Sequence, residues 1–148
     1  MADDEELLDL ARGARATSYA PYSNFRVGAA LGTDDDRVFI GANIENAAYP
    51  VGLCAERVAV PQAVMAGAVP LVLAIAADGF GPPSPCGMCR QFLYEFAPDL
   101  RILATGTDGA LDDYLLRDLL PKAFGPARFD PEGTAWTGRG GRFPPEVS

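Results

Sequence analysis

Apolar positions change their period several times along this chain, and each change marks a new element. Leu7, Leu10 or Ala11, and Ala14 fall on one face at helical spacing, and acidic residues crowd the front, where a helix dipole favours them. The pattern predicts an opening helix that ends near "SYAPYS". "FRVGAAL" and "RVFIGANI" follow, two apolar segments joined by the charged turn "GTDDD", which reads as a hairpin. "CAERVAVPQAVMAG" reads as a helix, "LVLAIAA" as a strand buried on both faces, and "CGMCRQFLYEF" as another helix. "RILAT" supplies a further strand, and "LDDYLLRDLL" places Leu111, Leu115 and Leu119 on one stripe of a closing helix.

The order α-β-β-α-β-α-β-α predicts one layered α/β domain, a mixed central sheet with helices packed on both faces. Residues 1–126 form that unit, and no internal repeat interrupts it. From about Gly125 the composition turns to Gly and Pro without a period, so residues 127–148 read as a loosely held tail that Trp136 and Phe143 can dock. Pro61 falls inside an expected helix, where it deletes one backbone bond and crowds the carbonyl of Arg57, so a kink or an early end is expected there.

Composition narrows the function. A chain of 148 residues can bury a proper core as one domain, and no apolar run reaches membrane-spanning length. "MADDEELLDL" is acidic where an export signal is basic and then apolar, so a cytoplasmic home with reduced thiols is expected. The net charge is −8 with Lys and Arg scattered singly, which removes the electrostatic footprint of a nucleic-acid surface and favours a small-molecule partner.

The three cysteines are Cys54, Cys86 and Cys89, and there is no histidine. A pair spaced like Cys86 and Cys89 serves redox chemistry, a structural zinc site or a catalytic one. Each of Cys54 and Cys86 is expected to open a helix, where amides and dipole stabilise a thiolate, and Cys86 and Cys89 share one helix face. A closed structural site needs a fourth Cys or His that this chain lacks, whereas three ligands leave the open corner typical of catalytic zinc. A water there needs a proton acceptor, and Glu56 stands two residues after Cys54. Both reach one metal only if Cys54 lies at the cap and Glu56 in the first helical turn. Three thiolates would leave Zn²⁺ at net −1, a charge that Arg57 and the two helix N-termini can offset.

"NIENAAYPVGLCAERVAV" and "SPCGMCRQFL", with "SYAPYSNFRVGAAL" upstream and "DLLPKAFGP" downstream, resemble the small cytidine deaminases of pyrimidine salvage over roughly residues 5–126. The zinc-deaminase signature here reads Cys54-Ala55-Glu56 and then Pro85-Cys86-Gly87-Met88-Cys89. The resemblance implies the three-layer α/β/α fold of that family. It also implies attack of water activated at zinc on C4 of cytidine or deoxycytidine, with Glu56 shuttling protons. It further implies that Asn43 and Glu45 hold the ribose, that Phe25 packs against the pyrimidine and that the Ala55 backbone meets its exocyclic group. In a homotetramer, Tyr49 and Phe124 would reach a neighbouring subunit's pocket. Deaminases of aminonucleoside antibiotics such as blasticidin share the Cys-Ala-Glu and Cys-x-x-Cys core and are the alternative, followed by a non-catalytic zinc module.

Overall fold

The computed structural model describes residues 1–129 and 136–138. Its centre is a five-stranded mixed sheet, built from β1 (Val27–Thr33), β2 (Val38–Ala42), β3 (Pro70–Ala77), β4 (Arg101–Thr105) and β5 (Leu111–Leu115). The spatial order is β2-β1-β3-β4-β5. Only β3 and β4 run parallel; β1 is antiparallel to both β2 and β3, and β5 to β4.

Strand alternation divides the core in two. Ala29 and Leu31 of β1, with Leu73 and Ile75 of β3, face α2 (Glu56–Ala66) and α3 (Gly87–Phe96). Ala30, Ala74 and Ala76 face the other way, against Leu7, Leu8 and Ala11 of α1 (Asp4–Ala14). The three-layer α/β/α arrangement expected from the sequence is therefore present. Each fully buried Leu of these layers, such as Leu7 or Leu73, contributes about 1.5–3 kcal/mol through area removed from water.

Asp3 caps α1 reciprocally with Glu6, its carboxylate accepting from the Glu6 N–H at 2.9 Å. Of the two alternatives for the apolar stripe, Ala11 is fully buried and Leu10 lies 38 % exposed. Two glycines let the helices approach the sheet. A Cβ at Gly28 would stand 2.0 Å from the Ala11 carbonyl oxygen, and one at Gly41 would stand 2.6 Å from both the Ala55 oxygen and the Ala59 nitrogen. Gly41 thus sets how closely the N-terminal end of α2 sits on β2.

Two expectations are corrected. The segment read as a closing helix forms β5 and then a short 3₁₀ turn, Leu116–Leu119. Without β5 the N–H and C=O groups of β4 would be unpaired along a sheet edge, and that demand overrides the helical spacing of Leu111, Leu115 and Leu119. Tyr114 and Leu116 of this segment pack against the core, while Leu111 and Leu115 are exposed. Secondly, of the kink or early end expected at Pro61, the early end does not occur: α2 continues to Ala66 and closes on Gly67 at φ 74°.

In the region read as a tail, Trp136 packs edge-on against Phe96 at 5.8 Å and donates its indole N–H to the Ala68 carbonyl. Phe143 lies outside the described residues.

Arg101 ties the first turn of α1 to the sheet edge, donating to both carboxylate oxygens of Asp4 and both of Asp113 at 2.8–3.0 Å. The guanidinium holds the Asp113 carboxyl below its ordinary 3.8. A carboxyl lowered by folding stabilises above its unfolded pKa and loses that contribution as pH falls through the folded value. Asp113→Asn should therefore destabilise the fold at pH 7 by about 1 kcal/mol or less for so exposed a pair, read as a slightly lower melting temperature. The gap to the wild type should close as pH drops below 3.8 in parallel melting curves.

Candidate active site

One end of the sheet gathers the residues that the sequence singles out. Because β1 is antiparallel to β2 and β3, the start of β1 lies beside the ends of both, with Gly28 opposite Ala42 and Val27 opposite Ala77. Phe25, Asn43 and the loop after β3 therefore share that end, outside the carboxyl end of the parallel β3–β4 pair. Between β2 and α2 the chain is pinned by two bridges, Tyr19 with Ile44 and Ile44 with Leu53, which deliver Cys54 to the start of α2. The cap residue is Ala55, and Glu56 is the first residue of the helix.

Cys86 is itself the cap of α3, its Sγ accepting from the Cys89 N–H at 3.4 Å. Its approach is fixed by Arg90, which donates to the Pro85 carbonyl at 2.8 Å, to Ser84 Oγ at 2.7 Å and to the Leu119 carbonyl at 3.0 Å. Sequence reasoning did not single out Arg90, although it directly follows the second cysteine of the pair.

The three sulfurs converge. Cys54, Cys86 and Cys89 place their Sγ atoms within 4.8 Å of one another, and Cys54 and Cys86 are 4.0 Å apart. Tetrahedral ligands about 2.3 Å from zinc would be separated by about 3.8 Å, so this donor set fits the ion with little adjustment. No side chain among the described residues completes the cluster as a fourth His, Cys, Asp or Glu ligand.

The electrostatics favour thiolate at Cys54. A hydrogen bond from Cys89 lowers the Cys54 pKa to about 5 against the opposing effect of burial, with Arg57 and Cys86 assisting. Cys89 is pushed the other way by donating to Cys54, by burial and by the Glu56 charge. Arg57 lies against this charge, its Nη2 3.9 Å from Cys54 Sγ and 3.1 Å from the Gly52 carbonyl. Its Nε is buried without a partner.

Glu56 is 5 % exposed in an otherwise apolar core. Burial raises its carboxyl above the ordinary range, with the Cys54 charge acting the same way, and outweighs its own backbone N–H and the smaller effects of Cys89 and Arg57.

A cavity of about 510 Å³ opens beside the sulfurs, of a size that suits a small metabolite. Phe25, Asn43, Glu45, Tyr49, Ala55 and Glu56 all line it. So do Ser84 and Met88, whose neighbourhood the Pro-Cys motif marked without giving them a role. Among the described residues Arg57 is its one basic lining residue, and its Nη2 is already engaged. Asn43 accepts at Oδ1 from the Val27 N–H at 2.9 Å and donates from Nδ2 to the Phe25 carbonyl at 2.8 Å. Glu45 accepts at Oε1 from the N–H groups of Tyr22 and Ser23 at 2.9 and 3.1 Å. The Ser23 hydroxyl is the largest influence that holds its carboxyl below the usual range. Phe124 lies elsewhere, 62 % exposed in a separate hollow with Gln91 and Phe129.

Three converging cysteine sulfurs able to hold a metal ion, a buried acid beside them and an adjoining pocket are the parts of a hydrolase acting on a small molecule. The comparisons narrow that class. Residues 1–105 match the family model described as the cytidine and deoxycytidylate deaminase zinc-binding region. The chain is 43 % identical over 124 residues to a cytidine deaminase of Sporosarcina psychrophila, covering 82 % of this chain and 91 % of that protein. A crystal structure of cytidine deaminase from Burkholderia pseudomallei superposes with a TM-score of 0.80 at 42 % identity, covering 83 % of this chain and all of the other. The Mycobacterium tuberculosis cytidine deaminase structure gives 0.72 at 40 % identity, covering 85 % of this chain and 100 % of that one. This chain belongs to the cytidine and deoxycytidylate deaminase family.

Proposed function

We propose that this enzyme hydrolyses cytidine and 2′-deoxycytidine to uridine and 2′-deoxyuridine with release of ammonia, as a cytoplasmic homotetramer serving pyrimidine salvage. The observation that carries the reading is the convergence of three cysteine sulfurs within 4.8 Å at the mouth of a pocket that also holds a buried glutamate.

Cys54, Cys86 and Cys89 would hold zinc, which supplies the Lewis acidity that makes water a nucleophile at neutral pH. Glu56 then does the proton work. Its carboxylate takes a proton from the attacking water and hands it to the ring nitrogen beside C4, then takes the second proton from the hydroxyl now on C4 and passes it to the departing amino group as the C4–N bond breaks and the C4 carbonyl forms. Burial suits it to that exchange, because a carboxyl raised above its usual range is a stronger proton acceptor that can still return the proton. Arg57 offsets the charge of the thiolates. Phe25 offers its ring to the pyrimidine, and the Ala55 backbone faces the exocyclic group.

Asn43 and Glu45 meet the sugar, an amide donor beside a carboxylate acceptor. With no unengaged cation lining the cavity among the described residues, a nucleoside is favoured over its phosphate. The exposure of Tyr49 and Phe124, 75 % and 62 %, supports their contact with neighbouring subunits.

Purified protein should carry about one zinc per chain, the count set by a single three-sulfur cluster. It should also convert cytidine to uridine with loss of the cytosine absorbance. The same assay run on blasticidin tests the alternative: turnover there and none on either nucleoside would replace this reading.

A further inference from the structure

Asn43 has little freedom left before any ligand arrives. Its Oδ1 faces the Val27 N–H, a group that can only donate, and its Nδ2 faces the Phe25 carbonyl, a group that can only accept, so the amide orientation is fixed. A third partner comes from outside the pocket. The Ser18 hydroxyl lies closest to Asn43 Oδ1 and 3.2 Å from the Asn43 main-chain carbonyl. A hydroxyl has one proton, and the shorter contact directs it to Oδ1. Both lone pairs of Oδ1 are then filled and one Nδ2 proton is spent, which leaves one N–H to offer to the cavity.

We propose that Ser18 is a positioning residue for the sugar subsite, its hydroxyl bond to Asn43 Oδ1 holding the amide so that the remaining N–H meets one ribose hydroxyl. This rests on the reading of Asn43 and Glu45 as the ribose contacts. The terminal torsion of an Asn side chain is broad, so the Val27 and Phe25 bonds alone permit a swing that the third bond suppresses. An amide oxygen accepting two hydrogen bonds also makes its N–H a stronger donor. The hydroxyl that accepts from Asn43 can hand its own proton to the Glu45 carboxylate, whose Oε1 is held by the Tyr22 and Ser23 N–H groups while further lone pairs remain. Ser18 does not line the cavity, so its effect reaches the ligand only through Asn43.

The test compares wild type, Ser18→Ala and Ser18→Thr as zinc-loaded enzymes on cytidine, 2′-deoxycytidine and 3′-deoxycytidine. Wild type should show a raised KM on whichever deoxynucleoside lacks the hydroxyl facing Asn43. Ser18→Ala should raise KM for cytidine about fivefold, the scale of one neutral hydrogen bond, with kcat little changed. On the nucleoside lacking that hydroxyl it should add no further rise. Ser18→Thr, which keeps the hydroxyl, should behave as wild type does. A wild type that treats all three nucleosides alike overturns the sugar assignment itself. A wild type that discriminates, while Ser18→Ala raises no KM or raises all three equally, overturns the role of Ser18 alone.

Discussion

Replacing Glu56 by Gln should abolish useful turnover while leaving the zinc in place. The side chain is 5 % exposed and opens α2, so the amide keeps its shape and the packing around it. What it loses is the capacity to take a proton from water and return it to the leaving group. Proton transfer by a positioned carboxylate is worth roughly 10²- to 10⁴-fold, and one group here serves both directions, so kcat should fall by about 10⁴-fold. The fold should not suffer, because the substitution removes a carboxyl whose ionised form burial disfavours. Elemental analysis and steady-state rates on the same preparation separate the outcomes. Zinc retained with turnover lost fits the proton carrier, whereas zinc lost would make Glu56 a fourth ligand and the centre a structural one.

The sequence carried most of the layered architecture because the relevant signals are local. The apolar segment "FRVGAAL" before its charged turn and the continuous apolar run of "LVLAIAA" each reflect one strand's own surroundings, and both strands lie where expected. β5 departs from its spacing because its state depends on pairing with the strand before it, which its own apolar period does not encode. Leu111, Leu115 and Leu119 satisfy a helical spacing, but what decides the matter is the open edge of β4, pairing Leu103 with Asp113. The early end allowed for at Pro61 does not occur, for a reason the local sequence also omits. A single lost backbone bond weighs less than the burial of Ala59, Val60 and Ala63 against the sheet, which holds α2 together.

At the candidate site, legibility followed chemistry. Cysteines and a carboxylate two residues apart announce themselves by type, and their convergence within one cluster needed only the right helix starts. Groups that act through hydrogen bonds to the backbone do not announce themselves. Arg90 holds Pro85 and Leu119 by their carbonyls, and Ser18 reaches across 25 residues to Asn43. Neither partnership has a residue-type signature, so only the fold could reveal them.

Removing the most buried of the three sulfurs should cost the metal, and much of the stability with it. Cys89 is fully buried on α3, in packing that leaves no neighbour room to swing in and replace it. Cys89→Ala leaves two sulfurs, of which Cys86 is exposed and Cys54 half-buried. A metal that binds only the folded chain stabilises it by about 2.7 kcal/mol when present at a hundred times its dissociation constant. The wild type should therefore melt at a distinctly lower temperature after chelation, and Cys89→Ala should melt low with or without the chelator. Its zinc content should fall well below one per chain and its turnover should vanish with it. A Cys89→Ala enzyme that kept stoichiometric zinc and deaminated cytidine normally would remove the three-sulfur centre from the mechanism, since its second helix would then be holding nothing that the reaction needs.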